Sequence, residues 1–320
     1  MASARAATLR YAQHFDSLMR DFNVLYRKGG GAVELALTTF DDQRLNIEHA
    51  RIQVERLSQV DERAAALCAS FARGGAALLN LRLHPRDRIN WLIAGIAATQ
   101  RLGDQRSEAR QLNDLGVSYA AIGQSDSAVE CYMKSLSICR SMDDRSGEAA
   151  ALGNTANEHL RNGQPQQAIE LLEEVRRICS QERLLRCEAE AVNSIGAACK
   201  DLGDYDHAIK CHQESLRIHR DLGDLRGQGT ALTNLGIAHR KLGNPLRALE
   251  CYEEALPVLR EIGDHRGEGD TLWNIALALD ELGRRIDAIE CAEAALRIRD
   301  QIEDPRAKKV QDRLNAWRRM

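Results

Sequence analysis

An all-α solenoid of antiparallel helix pairs is the fold that the sequence predicts, and three observations predict it. The first is a repeat held in register. Gly123, Gly163, Gly203, Gly243 and Gly283 stand 40 residues apart, and so do Ala128, Ala168, Ala208, Ala248 and Ala288. The second is the apolar spacing inside a repeat. In 225–242, Leu232, Leu235, Gly236, His239 and Leu242 follow i, i+3, i+4, i+7, i+10, one face of a helix. The third is composition: 44% of the 320 residues are hydrophobic and 28% charged, aromatics are only 4%, and helix-favouring Ala, Leu, Glu and Arg dominate. One helix pair cannot bury its apolar face alone, so the copies must stack.

Residues 1–60 read as an N-terminal helical cap. An amphipathic helix over 7–28 is followed by a glycine break in "KGGGAVEL" and by one or two further helices. Residues 61–303 read as six 40-residue units, the first degenerate. Its first half is "DERAAALCASFARGGAALLNLR" and its second "LHPRDRINWLIAGIAATQRLGD". Helix pairs are expected to begin near 64, 104, 144, 184, 224 and 264. In each regular copy the register glycine ends the first helix, because glycine tolerates the left-handed conformation of a C-terminal cap. A second amphipathic run follows, as in "PLRALECYEEALPVLREIG". Gly236 and Ala248 fall where the two helices cross, and larger side chains there would hold the backbones apart. Residues 304–320 read as a capping helix, with Val310, Leu314 and Trp317 facing the last repeat and basic residues facing water.

Several function classes are disfavoured. The formal charge is −3; residues 1–103 hold 14 basic and 10 acidic side chains, the remainder 30 and 37, and neither part has the footprint of a nucleic-acid binder. No apolar run approaches the roughly 18 residues of a membrane helix, and the N-terminus has no apolar signal core. A cytoplasmic protein is therefore expected, with its nine cysteines as reduced thiols. Cys131, Cys211, Cys251 and Cys291 recur at the repeat period, and layers about 10 Å apart would be too distant for disulfides or a shared zinc, so these read as small apolar fillers. His159, Cys199 and His239 form another column, with His212 on the partner helix, but no C-x-x-C or H-x-x-x-H pair supports a metal site. There is no nucleophile elbow, no H-E-x-x-H and no phosphate loop, so neither an enzyme nor a cofactor is expected.

The segment "LTNLGIAHRKLGNPLRALECYEEAL" resembles the tetratricopeptide repeat (TPR), whose signature positions fall on Leu232, Leu235, Gly236, Ala248, Tyr252 and Ala255. His239 stands where that family prefers tyrosine, and Pro257 departs from the usual place of its late proline. The common repeat has about 34 residues; the 40-residue form resembles kinesin light chains and Pins-type spindle-orientation proteins. The resemblance covers 61–302 and implies a right-handed superhelix with a concave groove lined by the first helix of each pair. A second resemblance rests on the whole arrangement: "YAQHFDSLMRDFNVLYRKGGGAVELALTTFDDQRLNIEHARIQV", then "LRLHPRDRINWL", the repeats, and "IEDPRAKKVQDRLNAWR". It is similar to the C-terminal sensor halves of bacterial STAND-type NTPases of NB-ARC or related architecture. In that group the repeats sense a partner and a separate NTPase domain responds. This chain has no G-x-x-x-x-G-K-[ST], so the resemblance implies a sensor and no NTPase activity of its own.

On the first helix of a pair, the face opposite the core carries Arg226, Thr230, Asn234, Ile237 and Lys241. The Asn234 column reads Asp114, Asn154, Ser194, Asn234, Asn274. An amide has both donor and acceptor and can pair with the backbone of an extended peptide, or it can bridge neighbouring helices instead. Candidate ligand-binding residues on this face are Arg110, Asn113, Asn154, Asn157, Arg161, Asn193, Lys200, Asn234, Arg240, Lys241, Trp273 and Asn274. Basic residues dominate the middle, and Asp270, Asp280 and Glu281 make the last repeat acidic, so a partner segment acidic in part would match. A further column is Arg106, Arg186, Arg226, Arg266 and Arg306, with Ser146 the exception. A cation in a first turn opposes the helix dipole; a salt bridge to Asp104, Asp224 or Asp264 would offset it, and an anion-binding ladder is the alternative. The expected function is a non-enzymatic module that binds a protein or peptide segment in its groove. The alternative is a scaffold that assembles through edges and termini.

Overall fold

The computed structural model describes residues 2–28, 31–74 and 83–319, and all fifteen regular elements among them are helices. They are α1 (Ala2–Lys28), α2 (Gly31–Leu57), α3 (Glu62–Arg73), α4 (Pro85–Leu102), α5 (Gln105–Ala121), α6 (Ser125–Ser141), α7 (Arg145–Arg161) and α8 (Pro165–Gln181). Then follow α9 (Leu185–Asp201), α10 (Tyr205–Asp221), α11 (Leu225–Lys241), α12 (Pro245–Glu261), α13 (His265–Glu281), α14 (Arg285–Gln301) and α15 (Ala307–Arg319). Gly29 and Gly30 of the expected glycine break lie outside the described residues, as do 75–82 of the degenerate copy. The chain divides into two compact units, Met1–Glu158 and His159–Met320.

In the first unit α1 packs on α2 and both pack on α3, which pairs with α4; α4 packs on α5 and α5 on α6. Its core joins Phe15, Met19 and Phe22 of α1 to Phe40 and Ile47 of α2 and Phe71 of α3. All four phenylalanines of the chain are in this cluster, so the N-terminal helices use a bulkier core than the repeats do. The Arg51 guanidinium lies 5.3 Å from the Trp91 ring centre and pairs with Glu48 and Glu55, which satisfies a cation that is nearly buried.

In the second unit each helix packs on the next from α8 to α15, and the first helices also touch one repeat on: α9 with α11, α11 with α13. The register residues explain the crossings. A Cβ on Gly236 would come within 2.3 Å of Tyr252 Cε1, and Tyr252 is fully buried. In the first unit Gly116 stands 2.4 Å, by the same measure, from Tyr132 Cε1. Leu232, Leu235, Ala248 and Ala255 are buried as their spacing requires. Leu242 is not: it follows the last residue of α11 and is 39% exposed, because the periodic face runs out where the helix is capped. Val310, Leu314 and Trp317 of α15 are buried; α15 packs on α14, and Trp317 stacks on Trp273 of α13.

Most turns between pairs are capped alike. Asp104, Asp144, Asp224 and Asp264 accept the backbone N–H three residues on, at 2.9–3.3 Å, as N-terminal caps, and Asp204 does the same before the second helix α10; Leu184, before α9, offers no such cap. One expectation is overturned by the cysteines. Cys179 and Cys187 form a disulfide across the turn between α8 and α9, with Cα atoms 5.9 Å apart, so the nine thiols are not all free. The pairing was hidden because the columns compared in sequence were those 40 apart, whereas these two residues face each other from the end of one helix to the start of the next. Cys131, Cys211, Cys251 and Cys291 are free and buried or half-buried, and burial pushes all four thiols up, Cys211 and Cys251 to about 11. Among the described residues no group of three His, Cys, Asp or Glu could hold a metal ion, and no helix is long and apolar enough to cross a membrane.

Candidate functional site

The predicted face of the first helices is half-exposed to exposed, and its amides meet across repeats. In the first unit Asn154 Nδ2 donates to Asn113 Oδ1 at 2.9 Å. In the second, Asn234 Nδ2 reaches Asn193 Oδ1 at 3.4 Å, a long contact, and His212 Nδ1 donates to the same oxygen at 2.8 Å. Asn274 Nδ2 turns back to the Asp270 carbonyl at 2.9 Å. The amide donors are thus used inside the protein, whereas the carbonyl oxygens of Asn154 and Asn234 are left for other partners.

The cations divide into two groups. Arg240 is spent: it pairs with Glu281 at 2.6 Å and its side chain is only 12% exposed. Lys200 contacts Asp201 at 3.0 Å. Arg110, Asn157, Arg161 and Lys241 are exposed, and of these Arg110, Asn157 and Lys241 have no side-chain hydrogen bond or ion pair. Trp273 stacks on Trp317 at 5.9 Å between ring centres, so α15 covers one side of it. Asp280 of the expected acidic end is held by Arg285 and by Arg313, the latter at 3.4 Å. The arginine column follows the salt-bridge alternative where it is paired: Arg106 lies 3.8 Å from Asp144, Arg186 lies 3.4 Å from Asp224, and Arg306 binds Asp304 and Asp270.

A cleft of about 800 Å³ opens in the first unit between α1, α3, α5, α6 and α7. Arg110 and Asn113 line it, as candidates from the sequence, but so do Arg20 of α1 and Arg73 of α3, which sequence reasoning missed. Arg20 precedes the repeats, so periodicity gave no signal for it. Arg73 lies 40 residues before Asn113, in the column of Asn193 and Trp273, but in the degenerate first unit, where the column is hard to read. Arg73 Nη1 donates to Ser107 Oγ at 3.2 Å and Arg20 pairs with buried Asp16 at 3.0 Å. Burial pushes the Asp114 carboxyl up against the opposing pull of Arg88, whose Nη2 is 3.8 Å away.

Stacked two-helix units in a constant register, small residues at each crossing and a polar face left over from the core define a class of interaction repeats. The tetratricopeptide repeat family model matches residues 96–181, 188–261 and 228–301, well over half of the chain, and the protein belongs to that family. No curated protein sequence matches it. Among solved structures it is similar to a signal transduction ATPase with numerous domains (STAND) from Pyrococcus horikoshii that has a tetratricopeptide repeat sensor. That likeness has TM-score 0.65 and 16% identity, and covers 98% of this chain and 49% of that one. BtubC from P. vanneervenii gives TM-score 0.60 at 19% identity, over 69% of this chain and 92% of the other. A Rap protein complexed with Competence and Sporulation Factor gives TM-score 0.60 at 14% identity, over 98% of both chains. At these identities the likeness is one of fold. The chain spans about half the length of the STAND protein.

Proposed function

We propose that this protein is a partner-binding module that recognises an extended protein segment along the first-helix face, as the sensor of a STAND-type regulator whose NTPase domain lies elsewhere in the parent protein. The observation that carries the reading is the division of labour on α7 and α11. Their core faces are buried, while Asn157 and Lys241 stand exposed and unpaired and the carbonyl oxygens of Asn154 and Asn234 make no hydrogen bond. Such a face offers acceptors for a backbone and cations for an acidic stretch. The likeness to a STAND protein with a repeat sensor supports the regulatory setting.

A scaffold is the competing reading, and the internal use of Arg240, Trp273 and the amide donors favours it. Capture from the native host separates the two. The intact chain, an Asn157→Ala/Lys241→Ala variant and a Leu45→Glu variant of α2 are used as baits; Leu45 is 85% exposed on the N-terminal helices. Loss of a specific partner with the double variant alone is the expected result. A partner kept by that variant and lost with Leu45→Glu would sink the groove reading. Self-association indifferent to both would favour the scaffold.

A further inference from the structure

The cleft in the first unit exists because the repeat breaks its own pattern there. At the first-turn column, Arg106, Arg186, Arg226 and Arg266 are interrupted only by Ser146. One turn on, Arg110, Glu190, Thr230 and Asp270 are interrupted by Ala150. Ser146 and Ala150 both line the cleft, and Gly147 lies between them. Three small residues on α7 thus leave open a volume that a long side chain would otherwise enter. At about 800 Å³ it falls within the roughly 300–1,000 Å³ of ligand pockets.

Its charge is one-sided. Four guanidinium groups line it, those of Arg20, Arg73, Arg106 and Arg110, against the carboxylates of Asp114 and Asp144. Both carboxylates are engaged: Asp144 Oδ1 accepts the Gly147 N–H at 3.0 Å and Asp114 faces Arg88. Arg73 and Arg110 have no ion pair and feel only the more distant Asp104 carboxylate, whereas Arg20 is paired with Asp16 at 3.0 Å and Arg106 lies 3.8 Å from Asp144, with side chains 60% and 64% exposed. Asn113 in the wall is bonded to Asn154, so the cleft runs into the amide pair on the first-helix face. That continuity suits an extended chain better than an isolated small anion.

We propose that this cleft is the anchor for a run of adjacent Asp or Glu side chains on the partner segment, gripped by Arg20, Arg73 and Arg110. The proposal rests on the binding-module reading and adds the place and chemistry of the main contact. Planar guanidinium groups pair with carboxylates in two-point geometry, and a concave wall raises their effect above that of scattered surface cations.

The test uses fluorescence anisotropy with a labelled octaglutamate peptide and its octaglutamine counterpart. Expected is binding of the first, with the second at least tenfold weaker, and a tenfold or greater loss in Arg73→Ala/Arg110→Ala. The deciding variant is Ser146→Arg. It restores the residue found at four other units, so it should leave the thermal melt unchanged, and it raises the charge by one while filling the cleft. Weakening by tenfold or more supports the cleft; unchanged or tighter binding overturns it and leaves only diffuse attraction. Failure of the octaglutamate peptide to bind also overturns it. Octaglutamate binding that Lys241→Ala abolishes and Ser146→Arg spares would defeat the cleft while leaving the module reading standing.

Discussion

Gly196 faces the imidazole of His212 where α9 crosses α10: a Cβ on Gly196 would lie 2.7 Å from His212 Cε1. The same register holds Gly116 against Tyr132 and Gly236 against Tyr252, so the ring at this crossing is a packing element, and His212 is the one of the three that can take up a proton in acid. Burial, with Lys200 adding to it, lowers the His212 pKa from 6.5 to about 4. Its Nδ1 bonds Asn193 and its Nε2 has no partner.

A pH dependence follows. Between pH 6.5 and about 4 the unfolded chain takes up a proton at His212 that the folded chain refuses. Stability therefore falls as pH drops through that window, by up to about 1.4 kcal/mol per unit, and this site contributes no slope above it. His212→Tyr installs the residue found at Tyr132 and Tyr252. Urea midpoints at pH 7.5 and 5.0 should show a smaller acid loss for the variant than for the intact protein. An identical loss in both would assign the acid sensitivity elsewhere.

The crossing at Gly236 tests the packing rule directly. Gly236→Ala should destabilise the second unit by about 1–3 kcal/mol, since the added methyl meets the fully buried Tyr252 ring. The chain contains its own compensation: where Ala156 replaces the glycine, Leu172 replaces the aromatic ring. Gly236→Ala/Tyr252→Leu should therefore recover part of the loss. A double variant no better than the sum of the singles would show that the two positions do not trade volume. Thermal melts of the four proteins are sufficient.

Asn113 and Asn154 make the shorter of the two interrepeat amide bonds, 2.9 Å against 3.4 Å for Asn193 and Asn234. A double-mutant cycle to alanine at the first pair should return a coupling of about 0.5–1.5 kcal/mol, and the second pair less. Zero coupling at both would remove the structural role of these amides and leave only a binding role for them.

The fold was legible where the repeat speaks through single columns. Gly123, Gly163, Gly203, Gly243 and Gly283 all have positive φ, 70° to 88°, and first helices start at 105, 145, 185, 225 and 265. Site chemistry was less legible, because a column shows which face a residue occupies but not what reaches it from the next layer. Asn154 meets Asn113, 41 residues away and in a different column; Cys179 meets Cys187 at a separation of 8. Arg20 stands outside the period and Arg73 lies in the degenerate first unit, 40 residues before Asn113, and only folding brings them to Arg110. Ser146 was visible as an exception, yet its meaning depends on the volume it leaves, which no one-dimensional pattern contains.

The turns that end the second helices offer a stabilising test. At 223 and 263 the column holds glycine with φ of 64° and 66°, whereas Asp143, Arg183 and Glu303 adopt φ near 55° in the same column. A side chain in this left-handed region costs roughly 1–2 kcal/mol that glycine does not incur. Part of that gain is offset because glycine has more conformational freedom to lose on folding. Arg183 is exposed, and its backbone N–H bonds the Ser180 carbonyl at 3.2 Å, a bond that glycine keeps. Arg183→Gly should therefore raise stability by roughly 0.5–1 kcal/mol, seen as a higher urea midpoint with an unchanged slope. Destabilisation would mean that the Arg183 side chain does more for the turn than its exposed position indicates.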